Sequence, residues 1–327
     1  MTCVALASDE SVVYSGSKDN AVIKHDVETG ARTILKPHWS PSRSSSSAVS
    51  GTNAGAGEVF AIAVSSDGKY CVSGGKDKII RVYDARLKTP EIKTFTGHRD
   101  TVTALAFRHS SYTLFSGAMD RTLKHWDLND MAYMETMFGH QEGILAMDCG
   151  SKNKPVTVGG DRTARVWSIE EENHTLFRTK TTSLDCVQYL NDDEFATGGQ
   201  DGSINIWRSS MKKPILFAQK AHGIESLSPR WVCSLASLKM SNLLLSGSYD
   251  GTIKFWDLAI DSVNHRNSSM QVAFELPVSG FINSLQVSTT GRLVVAGVGK
   301  EHKMGRWWHI KEAKNQVLIA RLPDQTF

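Results

Sequence analysis

The chain has 327 residues, of which 40% are hydrophobic, enough for a sizeable core; that length suits two ordinary domains or one repeat-built domain. Its 37 Lys and Arg against 34 Asp and Glu leave a net charge of +3, which excludes a polybasic arm and confines nucleic-acid binding to a local patch. No run of about 18 apolar residues exists to span a membrane, no basic region marks the N-terminus as a signal peptide, and five cysteines without a C-x-x-C pair fit a reducing compartment.

One pattern recurs along the chain: a small polar residue, a Gly, an Asp, and an aromatic six positions after the Asp. The first unit is a degenerate copy, with Ser15, Asp19 and His25. A stretch rich in Ser, Gly and Ala follows at 40–57 and is expected to be a surface loop. The second unit has Ser73, Asp77 and Tyr83; the third has Ser116, Asp120 and Trp126; the fourth has Thr157, Asp161 and Trp167. Thr197, Asp201 and Trp207 mark the fifth, and Ser246, Asp250 and Trp256 the sixth. From Asp19 the successive Asp positions are spaced by 58, 43, 41, 40 and 49 residues. Steps near 40 fit a four-stranded propeller blade. The long steps mark insertions, at 40–57 and around Gly223 to Arg230.

Strands can be read within a unit. In the third, Val102 to Phe107, Thr113 to Gly117, Thr122 to Leu128 and Tyr133 to Phe138 alternate with turn signals, while no stretch has sustained helical periodicity. The Asp belongs in the tight turn between second and third strands, where its carboxylate accepts local hydrogen bonds. A Gly-His pair precedes the third and fourth units, so His98 is expected to reach Asp120, Ser116 and Trp126, with His140 doing the same in the next unit. His222 supplies the sixth unit, and Lys180 stands in that position for the fifth.

A search for chemistry returns little. A His-Asp-Ser set resembles a hydrolase triad, but a nucleophile is needed once and this set recurs, so it is read as structural. Gly297-Val298-Gly299 lacks the third glycine and the helix of a dinucleotide loop. The histidines have no metal-ligand spacing. Glu170 to Glu172 read as a solvated turn. No catalytic residue, cofactor or metal is expected.

The seventh unit departs from the pattern. It has His302 at the Asp position and Trp307-Trp308 at the aromatic one, within the densest basic run of the chain, Lys300 to Lys314. Such a run fits phosphate contacts; a solvated edge is the plain alternative. Arg306 sits in a slot that is also basic as Arg81, Lys124, Arg165 and Lys254, so there a cation belongs to the repeat. Trp307 and Trp308 are expected in the core. Lys300, His302 and Lys303 are placed on the face of the Asp turns. Lys311, Lys314 and Arg292 are placed on the opposite face with Arg108, Lys152, Lys154, Lys212 and Lys213. All of Lys300, His302, Lys303, Arg306, Lys311, Lys314 and Arg292 are RNA-binding candidates.

These repeats resemble WD40 repeats, which implies an all-β, seven-bladed propeller formed by residues 1–327 as a single domain. The strings Gly280 to Leu285, Ala296 to Gly299, Glu301-His302, Gly305 to Trp308 and Ile310 to Ala313 resemble the WD-repeat branch of the U3 small nucleolar ribonucleoprotein. Ser65 to Tyr70, Phe95 to Asp100 and Phe138 to Gln141 match it as well. The resemblance implies a non-catalytic scaffold, monomeric within the particle, that binds U3 small nucleolar RNA at the B/C motif. Its implied neighbours are a small kink-turn-binding protein and other small-subunit processome proteins, and its implied role is pre-ribosomal RNA processing and small-subunit ribosome biogenesis in the nucleus and nucleolus, with no membrane partner. The family carries a charge-rich, nuclear-targeting N-terminal extension, whereas this chain starts at the first strand of unit one. Gln316 to Leu322 is therefore expected to fill the fourth strand of the last blade. A competing reading is a protein-binding scaffold or cullin-ligase substrate receptor, from Val82-Tyr83-Asp84-Ala85-Arg86, which resembles the box of adaptor-docking propellers.

Overall fold

Strand pairing organises the chain. The computed structural model describes residues 1–35, 57–84, 86–87, 91–179, 182–261, 268–305 and 308–322. Six four-stranded sheets and one three-stranded sheet follow one another in chain order, with one extra two-stranded hairpin, and the described residues include no helix. The first strands of the seven sheets neighbour one another in a circle, and the first and seventh sheets close it. The architecture is a seven-bladed β-propeller. The loop expected at 40–57 lies outside the described residues apart from Gly57, as does Lys180.

Blade three shows why the repeat folds this way. Its strands run Val102–Phe107, Thr113–Ala118, Thr122–Asp127 and Ala132–Phe138, from the axis outward. Every residue of the first is buried, because both of its faces meet neighbouring blades. The outermost strand has no fully buried residue. The repeat glycine is set by that packing. A Cβ on Gly117 would lie 2.7 Å from Ile144 of the next blade, and one on Gly74 would lie 2.6 Å from Val102. The repeat Asp sets the turn: Asp120 Oδ1 accepts the Thr122 amide at 3.0 Å, while Arg121 between them takes a left-handed φ of 70°. The long interval before blade six holds the two-stranded hairpin, Ile224–Glu225 against Ser228–Pro229.

Blade seven departs from the sequence reading. Its strands are Phe281–Val287, Leu293–Gly299 and Gln316–Arg321. The C-terminal run pairs directly with the second strand, Val298 opposite Gln316 and Leu293 opposite Arg321, so it is the third strand and not the fourth. Its side chains explain the choice. Val317 and Ile319 pack with Val4, Val13 and Val295, while Leu318 packs with Val294 and its neighbours on the other side. A run that is apolar on both faces belongs between blades, not on an outer edge. The chain between Gly299 and Gln316 is consequently an excursion, and among its described residues Glu301 and His309 form a β-bridge.

Candidate nucleic-acid interface

The face carrying the Asp turns is held by a repeated chain of hydrogen bonds. In blade three, Trp126 Nε1 donates to Ser116 Oγ at 2.8 Å, Ser116 Oγ lies 2.7 Å from His98 Nε2, and His98 Nδ1 lies 3.0 Å from Asp120 Oδ2. With the proton on Nδ1, each member donates to the next. Burial pushes the Asp120 carboxyl up, but His98, Thr122 and the Arg99 amide outweigh it and hold the group well below the usual carboxylate range. Blade four repeats the chain through Trp167, Thr157, His140 and Asp161. Blade six repeats it through Trp256, Ser246, His222 and Asp250. Blade five keeps the bond from Trp207 to Thr197 and ties Asp201 to Ser203. Ser116, Thr157 and Ser246 are fully buried, so these sets pin turns and offer no accessible nucleophile.

Blade seven has its excursion on this same face, anchored by residues from three places. Asn283 donates through Nδ2 to the carbonyls of Met1 and Glu301, both at 2.9 Å, and accepts the Lys303 amide at Oδ1. A Cβ on Gly299 would fall 2.7 Å from Asn283 Nδ2, so this glycine makes room for that side chain. Lys18, from the corresponding turn of blade one, donates to the carbonyls of His302 and Gly305 at 2.9 and 3.1 Å, and its ammonium is 3.5 Å from Glu301. Ala313 is buried, 3.2 Å from where a Gly280 Cβ would be, and Ile310 packs beside Cys233, Tyr249 and Phe281. Lys18, Tyr249 and Trp231 were not singled out by the sequence; a Lys just before a repeat Asp was the one available cue.

His302 is corrected by this structure. It is 4% exposed, and burial, reinforced by the charges of Lys303 and Lys18, lowers its pKa to about 3. It is a neutral packing residue, edge-on to Trp231, and not a phosphate-contacting cation. Lys303 is half-buried, and its charge acts on Cys3, Asp185, Cys186 and Cys233, around the axial end of the ring. Burial raises the Asp185 carboxyl to about 6 even though Lys303 pulls it down.

Lys311 and Lys314 are also corrected. The Ile310 amide donates to the Lys300 carbonyl at 2.9 Å, and the Lys300 amide donates to Asn315 Oδ1 at 3.0 Å. Both ends of the excursion therefore lie at the same end of the second strand, and Lys311 and Lys314 share the face of Lys300. The misplacement follows from treating Trp307-Trp308 as the third strand. Lys311 and Lys314 are exposed and Lys300 is half-buried. Arg292 lies at the opposite end, where its carbonyl accepts the Leu322 amide. Arg306 and Trp307 lie outside the described residues. Trp308 is 38% exposed, against the expectation of a core position. The other basic slots engage polar neighbours: Arg81 pairs with Asp77, Lys124 donates to Thr136, and Lys254 pairs with Glu275.

The WD domain, G-beta repeat family matches residues 46–84, 89–127, 132–168, 171–208 and 219–257, more than half of the chain. The matches omit blade seven and blade one, whose aromatic is replaced by His25, bonded to Ser15 at 2.7 Å. The U3 snoRNP-associated protein-like EMB2271 of Arabidopsis thaliana is 34% identical over 98% of this chain and 69% of its own length. The chain belongs to the WD-repeat family of the U3 small nucleolar ribonucleoprotein. The human U3 small nucleolar RNA-interacting protein 2 is 37% identical, covering 98% of this chain and 66% of its own length. The Saccharomyces cerevisiae ribosomal RNA-processing protein 9 is 27% identical over 82% of this chain and 58% of its own length. The crystal structure of RRP9 WD40 repeats superposes with a TM-score of 0.89 at 37% identity, covering 98% of this chain and 94% of that one. In this U3 ribonucleoprotein family member, the strings that distinguish blade seven are largely the anchors of the excursion: Gly280, Asn283, Gly299, His302, Ile310 and Ala313.

Proposed function

We propose that the chain is a non-catalytic, RNA-binding scaffold of the U3 small nucleolar ribonucleoprotein, and that it grips the B/C motif of U3 small nucleolar RNA with the face bearing residues 300–315. The carrying observation is that this excursion builds no part of a blade, yet is anchored from blades one and seven and presents Lys300, Lys311 and Lys314 on one face. Clustered cations that are free of core packing suit phosphate contacts. The human relative is named for interaction with U3 small nucleolar RNA and the yeast relative for ribosomal RNA processing, which supports a role in pre-ribosomal RNA processing and small-subunit ribosome biogenesis, in the nucleus and nucleolus. A small kink-turn-binding protein and other small-subunit processome proteins complete the particle. The non-catalytic reading rests on the buried hydroxyls of the recurrent His-Asp sets. Arg86, the last residue of the adaptor-like box, donates through Nε and Nη2 to the two carboxylate oxygens of Asp84, at 2.9 and 2.7 Å, and Ala85 lies outside the described residues.

The test is an electrophoretic mobility shift with B/C-motif RNA against a scrambled stem at two salt concentrations. Tighter binding of the B/C RNA, with affinity falling as salt rises, is expected. Equal, weak binding to both RNAs would remove the proposal.

A further inference from the structure

We propose that Trp308 is a stacking platform for one unpaired base of the bound RNA. This rests on the reading above that the excursion face meets RNA, and it adds a second kind of contact to the phosphate grip. The tryptophans of the repeat are spoken for: Trp126, Trp167, Trp207 and Trp256 are at most 5% exposed, and each donates to the Ser or Thr of its own turn. Trp308 belongs to no strand, pins no turn, and leaves 38% of its surface open.

Its orientation is nevertheless set. Tyr249 lies 5.0 Å from it at an interplanar angle of 42°, and Trp231 lies 6.0 Å away at 78°. Tyr249 rests in turn on Phe281 at 5.1 Å, and Trp231 on the buried His302 at 5.8 Å. An aromatic ring supported from below by a packed aromatic cluster has already lost its rotamer freedom, so a ligand that lies on it does not bear that cost.

The rim indicates the kind of ligand. Trp308 is flanked in sequence by the exposed His309, and the bond between the Ile310 amide and the Lys300 carbonyl places Lys300 beside Ile310, two residues from Trp308, with the exposed Lys311 next in sequence. Of the acidic residues in the excursion, Glu301 is drawn toward Lys18, which leaves Glu312 against Lys300, Lys311 and Lys314. An open aromatic face beside clustered cations is the arrangement that holds single-stranded nucleic acid, the base on the ring and the backbone on the cations. A paired base has no free face to offer, so the site selects an unstacked nucleotide, the form in which RNA is commonly read.

The 327-residue chain would be titrated with B/C-motif RNA containing its unpaired nucleotides, and with a fully paired duplex of equal length. Trp308→Ala is expected to weaken the first about five- to a hundredfold. Duplex affinity and salt slope should stay at wild-type values, while melting falls because the ring's contacts with Tyr249 and Trp231 are lost, so binding is compared on the folded fraction. Trp308→Phe, which keeps an aromatic face, should retain most of the binding, and the quenching of indole fluorescence by RNA should shrink in that variant. Equal losses on both RNAs, a Phe variant as weak as the Ala variant, or quenching that is unchanged in Trp308→Phe would overturn the proposal. If charge reversal at Lys300 and Lys311 weakens RNA binding while Trp308→Ala does not, stacking is wrong and the RNA face stands. If the wild type binds neither RNA, both readings fall.

Discussion

Blade three and blade seven solve the same turn in opposite ways. In blade three the carboxylate of Asp120 closes the turn from within, held by His98 and Thr122, and the chain goes straight into its third strand. In blade seven a neutral His302 takes that position, and the chain leaves the sheet for residues 300–315 before the third strand begins at Gln316. The excursion is held from outside, by Lys18 and Asn283. A turn closed from within has its polar groups satisfied and little left to offer a partner. An excursion held from outside leaves its exposed residues, Lys311 and Lys314 among them, open to a partner.

The largest separation between the two regions is expected from charge reversal. Lys300→Glu, Lys311→Glu and Lys314→Glu together should lower affinity for B/C-motif RNA by about two orders of magnitude at 0.1 M salt and flatten the salt dependence by up to about three units of slope, one per phosphate contact. Lys311 and Lys314 are exposed and such substitutions usually cost under about 0.5 kcal/mol each, so any larger fall in melting should trace to the half-buried Lys300, measured alone. A mobility-shift salt series together with thermal unfolding measures both. Normal binding by the triple variant would make the basic run a solvated edge.

Asp120→Ala should behave in the reverse manner. It leaves His98 Nδ1 and the Arg99 amide without their acceptor, and a buried unsatisfied group costs about 1–3 kcal/mol. Thermal unfolding should shift down while the folded fraction binds RNA as before. Lost binding at unchanged stability would turn Asp120 into a functional residue and erase the contrast with blade seven.

The sequence made blade three legible because its signals agree. Gly117 at an inter-blade contact, Asp120 at a turn, Trp126 on a strand and His98 before the first strand all point to one geometry, and Trp126, Ser116, His98 and Asp120 are found hydrogen-bonded in that order. Blade seven was misread because Trp307-Trp308 falls at the spacing of the repeat aromatic. With that pair as the third strand, Gln316 to Leu322 is left for the fourth, and Lys311 and Lys314 fall on the far face. The better signal was apolarity on both faces of Val317 to Ala320, which an outer strand does not need. The anchors were out of reach for another reason. Lys18 and the Met1 carbonyl meet residues some 280 positions away, and no local pattern encodes that distance.

Acid should separate the regions by their titrations. The folded pKa of His302 is about 3, below the ordinary value of 6.5, so the unfolded chain takes up that proton first. The stability involved is complete above about pH 6.5 and is lost as pH falls toward 3. The depressed carboxyl of Asp120 contributes stability above its unfolded value near 4, lost only as pH falls through the lower carboxylate range. Asp185, raised to about 6, opposes His302 between those limits, because the folded state then binds its proton first and gains stability as pH falls from about 6 toward 4. The wild-type curve mixes both groups, so the measurement is the difference in unfolding free energy between wild type and His302→Gln. That difference should shift against the wild type by about 1 kcal/mol per pH unit between pH 6 and 4. A difference that does not change with pH would mean that His302 is protonated in the fold.

The smallest effect is expected at Arg292, and it decides which face is in contact. Its carbonyl accepts the Leu322 amide at the opposite end of the strand from Lys300, beside a cleft of about 560 Å³ lined by Asp9, Glu10 and Arg321. On the proposed interface, a phosphate backbone held by Lys300, Lys311 and Lys314 would run along the other face of the ring. Arg292→Glu should therefore leave both RNA affinity and salt slope at wild-type values, with a stability change within about 0.5 kcal/mol. The substitution matches each charge change of the triple variant, so it controls for net charge: a non-specific field would register Arg292→Glu as strongly as one of the lysines, whereas a contact would not. A slope reduced by about one unit in Arg292→Glu would put phosphate on the far face and require RNA to wrap the rim of the ring.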